Sequence, residues 1–274
     1  MKTTNVFRVL SVLLLSVFLS SAFAQERPEN IYIEMACFKV KDGGDLLTFM
    51  KEKGTAFNKK AQAKGAILDW ILLESLYPNG GEAKCDYRTV TVFTDMSQLD
   101  MMTAPDFGPK TAGEAFGDQA MATWEEFQSL AKFKGSQVYE LKASAIDGPT
   151  YSPISSARFM NIPAEKSNEF LAQEKDVWMP VVKEAIAAKI LNDYSVWERV
   201  FPQGDDFDGN YITVADFSSF AQMGKIDMAK VAALFKKAHP DKDMMAEMKK
   251  SMSMGEFTKE ETVRIAARLN QPSN

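Results

Sequence analysis

Two stretches decide the architecture: Glu74-Ser75-Leu76-Tyr77-Pro78-Asn79-Gly80 and Glu198-Arg199-Val200-Phe201-Pro202-Gln203-Gly204. Each is a strand-like run stopped by proline, a side-chain amide and glycine, the residues that set up tight turns. They stand 124 positions apart. At that spacing Tyr87 meets Tyr211, Thr89 meets Thr213, Val90 meets Val214, Phe93 meets Phe217 and Phe133 meets Phe257, with no gap. Upstream the spacing falls to 121, where Phe38 meets Phe159, Phe49 meets Phe170 and Phe57 meets Trp178. Self-similarity of this kind marks a duplicated unit. The chain divides into an N-terminal leader (residues 1–24), a first repeat (25–147) and a second repeat (148–274), with Gly148-Pro149-Thr150 as linker.

Both repeats show one order of elements. In the first, Ile31–Val40, Leu68–Tyr77, Tyr87–Thr94 and Gln137–Ala145 read as strands. Asp45–Lys64 carries Leu46, Leu47, Met50, Phe57 and Ala61 at helical spacing, and a second helical region, broken around residues 104–109, precedes the last strand. In the second, the strands are Ala157–Ile162, Leu191–Phe201, Asn210–Phe217 and Glu261–Leu269. Ala164–Ala188 is helical, with Pro180 expected to force a kink or break. Further helices run from Ser218 to Met252, interrupted at His239-Pro240. The expected fold class is α+β: two ferredoxin-like βαββαβ repeats packed sheet to sheet as an intrachain pseudo-dimeric α/β barrel.

This order, the duplication and the turn placement resemble the dimeric α/β-barrel superfamily in tandem-fused form. That superfamily includes cofactor-independent monooxygenases, haem-degrading enzymes, stress-response barrel proteins and the NIPSNAP group. The resemblance covers nearly the whole chain after the leader and includes no catalytic motif, so no functional residue is carried over. It implies a monomer with an internal pseudo-two-fold axis. It also implies that the first and third strands of a repeat lie side by side and antiparallel. Cys37, near the end of one, then approaches Cys85, just before the other, and a disulfide between them is expected.

The leader sets the compartment. Lys2 and Arg8 precede the apolar run Val9–Leu19, and Ala22-Phe23-Ala24 is a small-residue cleavage signal. That is a secretory signal peptide, too short for the ~20 residues of a spanning helix. A secreted or periplasmic protein, not membrane-spanning after cleavage, is expected.

Composition removes other classes. The chain has 274 residues, 46% hydrophobic and 25% charged, as globular domains do. A net charge of −5 argues against nucleic acid as partner. Two cysteines and one histidine exclude a His- or Cys-rich metal cluster. No Walker loop, dinucleotide fingerprint or nucleophile elbow is present. His239 reads as a helix-end residue. Asp205, Asp206, Asp208 and Gly209 form an acidic turn without EF-hand spacing. The methionines from Met244 to Met254 read as adaptable packing. No cofactor and no metal is expected.

The remaining chemistry lies on strand faces. Glu74 and Glu198 occupy equivalent positions on mainly apolar faces, where a carboxylate is costly unless paired. They are either bases near the pseudo-two-fold axis or partners of neighbouring arginines such as Arg88 and Arg199. Tyr87, Thr89, Tyr211 and Thr213 share faces with Phe93 and Phe217, and either line a small-molecule cavity or belong to the core. Three functions follow. The leading one is binding of a small apolar ligand between the repeats. The others are a cofactor-independent monooxygenase or isomerase with Glu74 or Glu198 as base, and a structural or protein-interaction module. An enclosed cavity holding both carboxylates favours the enzyme, a cavity without them favours binding, and a filled barrel favours the interaction module.

Overall fold

The computed structural model describes residues 30–78, 84–146, 152–202 and 208–270. The expected leader, the expected linker Gly148–Thr150, the expected turn residues Asn79, Gly80, Gln203 and Gly204, and Asp205 and Asp206 lie outside the described residues.

Eight strands form one closed barrel in the order β1-β3-β2-β8-β5-β7-β6-β4. They are β1 (Tyr32–Val40), β2 (Asp69–Pro78), β3 (Tyr87–Phe93), β4 (Ala131–Ser144), β5 (Ile154–Asn161), β6 (Asp193–Phe201), β7 (Tyr211–Phe217) and β8 (Glu256–Arg268). Each repeat supplies a four-stranded antiparallel sheet, β4-β1-β3-β2 or β8-β5-β7-β6. The two sheets join edge to edge at two seams, β2 with β8 and β4 with β6. Closure leaves neither sheet with an unpaired edge. Since every neighbouring pair is antiparallel, equivalent strands run in the same direction. The pseudo-two-fold axis therefore runs along the barrel, and equivalent residues share one barrel end.

Helices cover the outside. In the first repeat they are α1 (Leu46–Phe49), a π-helical turn (Met50–Gly54), α2 (Thr55–Ala63), α3 (Met96–Thr103), α4 (Phe107–Phe116) and α5 (Ala120–Leu130). In the second they are α6 (Ser167–Gln173), a π-helical turn (Glu174–Trp178), α7 (Met179–Ala187), α8 (Phe220–Met223), α9 (Met228–Ala238) and α10 (Met244–Met252). Aspartates start several: Asp45 accepts from Thr48 N at 3.0 Å, and Asp95 closes a capping box with Gln98. Pro180 does not end the helix. It falls in the first turn of α7, after the π turn, where a missing N–H costs little.

The barrel interior is packed. Ile33, Met35, Val90, Tyr139, Phe159 and Ile212 form its centre, with Leu73, Trp197 and Val214 against them. Residues of both repeats contribute, each large side chain adding roughly 1.5–3 kcal/mol on burial. The opposite strand faces pack under the helices: Trp70 and Leu72 with Phe49 and Met50, and Val196 and Tyr211 with Phe170 and Met254.

Register corrects the alignment of the first strands. Val90 pairs with Met35, and its equivalent Val214 pairs with Ala157, so β1 and β5 are offset by 122 rather than 121. One residue of slip reverses every face. Phe38 accordingly packs under the helices whereas Phe159 points into the barrel. The last strands also begin at Ala131 and Glu256, earlier than the expected Gln137 and Glu261. Their starts pair with the ends of β1 and β5 through a register shift, which breaks the alternation.

Candidate functional site

Glu74 and Glu198 do not face each other inside the barrel. Both lie on the outer strand face, one at each seam. Glu74 stands opposite Arg264 and accepts from its Nη2 at 2.5 Å and Nε at 3.1 Å. Glu198 stands opposite Glu140, and Lys142 bridges the two at 2.8 and 3.2 Å. The expected partners Arg88 and Arg199 are inside the barrel instead. The two carboxylates therefore clamp one repeat to the other.

Tyr87, Thr89, Tyr211 and Thr213 line no space between the repeats. They lie on the outer face too: Tyr87 packs against the Leu46–Phe49–Trp70 cluster, and the Tyr211 ring sits 4.8 Å from Phe170. Tyr211 donates to Glu198 at 2.5 Å, and burial with that carboxylate raises its pKa. Cys37 and Cys85 are joined in a disulfide with Cα atoms 5.3 Å apart. His239 Nε2 lies 2.8 Å from the Val177 carbonyl oxygen, and its ring packs on Phe235. Met254 is buried, while Met245 and Met252 are exposed. Asp208 is buried among cations. No group of three potential metal ligands occurs among the described residues.

The site with the strongest chemical character was not singled out from the sequence. The two π turns begin at Met50 and Glu174, equivalent positions 124 apart. In the first repeat this layer is apolar. Met50 packs with Trp70, and the Phe49 ring stacks on Phe127 at 5.7 Å. At the same four positions the second repeat has Glu174, Tyr194, Gln173 and Ser251. Tyr194 donates to Glu174 Oε2 at 2.9 Å, Gln173 donates to Glu247 at 2.8 Å, and Trp178 Nε1 donates to Ser251 at 2.8 Å. Glu174 is only 7% exposed. Burial pushes its carboxyl up to about 7, against the opposing pull of the Tyr194 hydroxyl and of Arg158. Burial, and then the nearby Glu174, raise Tyr194 in turn. Each member has its partner, so the group holds one geometry. A carboxyl poised near neutrality accepts or donates a proton readily.

A groove of about 650 Å³ is lined by residues that include Ile162, Pro163, Lys166, Arg199 and Met254, but not by Glu174 or Tyr194. Ile162 and Met254 also belong to the apolar cluster against which Tyr194 packs. The signal for this site in the sequence is the exchange of Met50, Trp70, Phe49 and Phe127 for Glu174, Tyr194, Gln173 and Ser251 at a spacing of 124. Matching Phe49 to Phe170 in the first helix concealed half of it.

No protein-family model matches the chain, and no curated protein matches it in sequence. Solved structures match in shape. A protein of Fusobacterium nucleatum subsp. nucleatum assigned as a monooxygenase superimposes with a TM-score of 0.50 at 9% identity, covering 88% of this chain and 94% of its own. A protein of Lactobacillus acidophilus with the same assignment gives 0.47 at 9% identity, covering 87% and 95%. A chlorite dismutase mutant of Candidatus Nitrospira defluvii gives 0.43 at 9% identity, covering 85% and 90%. Strand order, closure and the likeness to the Fusobacterium protein agree: the chain has the dimeric α/β-barrel fold, with both halves of the barrel in one polypeptide.

Proposed function

We propose that this protein is an enzyme of the proton-transfer type, with Glu174 as the base. The carrying observation is the buried Glu174–Tyr194 pair, built where the other repeat has Met50 and Trp70 on the same backbone. A buried carboxylate contributes less to stability than an apolar side chain of similar size. The first repeat demonstrates that the fold accepts the apolar solution, so the polar one has a use beyond packing. Perturbed carboxyls held by a specific partner cluster at reactive sites. The packed barrel centre, taken alone, is the outcome that favours an interaction module over a cavity; the enzymatic reading stands on the helix-layer carboxyl Glu174 in place of Glu74 or Glu198.

In this reading a small substrate with an acidic C–H or O–H enters by the groove, past Met254, whose unbranched chain repacks cheaply. Glu174 takes the proton, Tyr194 donates a hydrogen bond that orients the carboxylate, and the protonated Glu174 returns the proton to another atom of the substrate. The net change is an isomerisation and needs no cofactor. A monooxygenase assignment on the same fold agrees with an enzymatic role and says nothing about substrate. The test is deuterium incorporation from D₂O into a panel of small enolisable carbonyls and phenols. Wild type should exchange at least one, Glu174→Gln should abolish that exchange while keeping the fold, and Glu74→Gln should leave it intact. Exchange that persists in Glu174→Gln refutes the assignment.

The protein is also proposed to act outside the cytoplasm, as a monomer. The Cys37–Cys85 bridge supports an oxidising compartment, and the internal closure of both sheets supports a single chain. No helix among the described residues is long and apolar enough to cross a membrane. N-terminal sequencing of the exported protein should begin at Gln25.

A further inference from the structure

A second site stands at the barrel end that carries the β2–β3 and β6–β7 connections. There the interior turns from apolar to charged. Arg88, 2% exposed, donates to Glu261 through Nε and Nη2, both at 2.9 Å, and to Asp208 at 3.2 Å. Lys259 reaches Asp208 and Glu261, both at 2.9 Å, and Lys84 reaches Asp208 at 3.2 Å. Beside this network lies a cavity of about 90 Å³, walled by Cys37, Lys84, Lys134, Gly135, Ser136, Gln137 and Asp208.

We propose that this cavity binds a small oxyanion, either free or as the end group of a larger ligand. Three features support it. First, Gln137 is 8% exposed, and one of its amide atoms is engaged by the Tyr139 hydroxyl at 2.5 Å. That bond fixes the amide on the cavity wall, with Oε1 held by Tyr139 and Nε2 left to donate toward the space. Second, the charge is favourable. Lys84 and Lys134 line the space, and Asp208, the one carboxylate among the lining residues, is paired with Lys84, Arg88 and Lys259, while Glu261 is paired with Arg88 and Lys259. Third, the wall is built for it. Gly135 has φ of +128°, a conformation that L side chains rarely adopt, beside the register shift of β4 against β1. The shift leaves Lys134 as the extra residue, and bulges re-aim side chains in this way. The volume exceeds the ~30 Å³ share of one water and suits a group of a few oxygens.

The experiment is isothermal titration calorimetry on the full chain after leader removal, at low ionic strength, with inorganic phosphate, sulfate and acetate in turn. At least one should bind saturably at one site per chain. Lys134→Gln, a change at an exposed side chain, should weaken that binding about tenfold or more, and the exposed control Lys110→Gln should not alter it. Added salt should weaken it as well. Preference for phosphate or sulfate identifies a tetrahedral anion, and preference for acetate identifies the carboxylate end of an organic ligand. Absence of saturable binding by all three at millimolar concentration, or binding unchanged by Lys134→Gln, overturns the proposal.

Discussion

Lys84 and Asp208 hold the same position in the two repeats, 124 residues apart, and pair with each other at 3.2 Å. Because the pseudo-two-fold runs along the barrel, equivalent positions approach each other at its mouth. A duplicated chain would place like residues there. Here one copy carries the cation and the other the anion, so the divergence of the copies itself created the contact.

Asp208 is therefore expected to hold the mouth together. Burial alone would raise its carboxyl, but Arg88, Lys259 and Lys84 together hold it down at about 2. Its contribution is fully present above the unfolded value near 3.8 and is lost as pH falls through 2. Asp208→Ala strands buried cations and should cost about 3 kcal/mol in urea denaturation at pH 7. A cost below about 1 kcal/mol would show the network to be dispensable.

Glu174 has the opposite linkage. Its folded pKa of about 7 lies above the usual 4.5, so the native state holds the extra proton between those values. Stability should be highest below pH 4.5 with respect to this group, fall as pH rises toward 7, and level off above. The span is on the order of 3 kcal/mol. Comparing denaturation of wild type and Glu174→Gln from pH 5 to 8 isolates it, and a difference that does not change with pH contradicts the shift.

Transplanting the first repeat's solution separates stability from use. Glu174→Met with Tyr194→Trp replaces the polar pair by the pair already packed at Met50 and Trp70. Its stability at pH 8 should equal or exceed wild type, within about 1–4 kcal/mol, while proton exchange disappears. Thermal melts and the D₂O assay measure both, and retained exchange would argue against the site.

The Cys37–Cys85 bridge ties the end of β1 to the segment carrying Lys84. Replacing both cysteines by serine should cost about 2–4 kcal/mol. Alkylation of the unreduced, denatured protein should find no thiol, and two reactive thiols would show the bridge absent in solution.

The seams predict what a half-chain does. Residues 25–147 alone would expose the edges of β2 and β4, which in the whole chain pair with β8 and β6. That fragment should self-associate or precipitate. A soluble monomer in sedimentation experiments would mean that the repeats do not depend on each other.

Much of the fold was legible because a duplicated chain supplies its own comparison. The turn after Tyr77 and the turn after Phe201 stood at one spacing, the strand faces alternated, and the order βαββαβ followed in both halves. Alternation along β2 and β6 also grouped Glu74 with Trp70 and Leu72, and Glu198 with Tyr194 and Val196. Period two states which residues share a face, though, and not which face turns inward. In a closed barrel sheathed by helices both faces are buried, so burial does not distinguish them by composition either. That is why the sequence leaves Glu74, Glu198, Tyr87 and Tyr211 open between a central space and other surroundings; all four stand on the outer strand face, the carboxylates at the seams and the tyrosine rings against helix side chains.

The sequence by itself determined the duplication, the element order and hence the barrel, because these rest on local patterns that repeat. Tertiary structure alone decided the rest. Strand register set Phe38 and Phe159 on opposite faces, since a one-residue slip leaves no mark on composition. Closure brought Lys84 to Asp208 and Arg88 to Glu261, pairs far apart in the chain. The π turn placed Glu174 against Tyr194, where exclusion of water, rather than the residue type, gives the carboxyl its affinity for a proton.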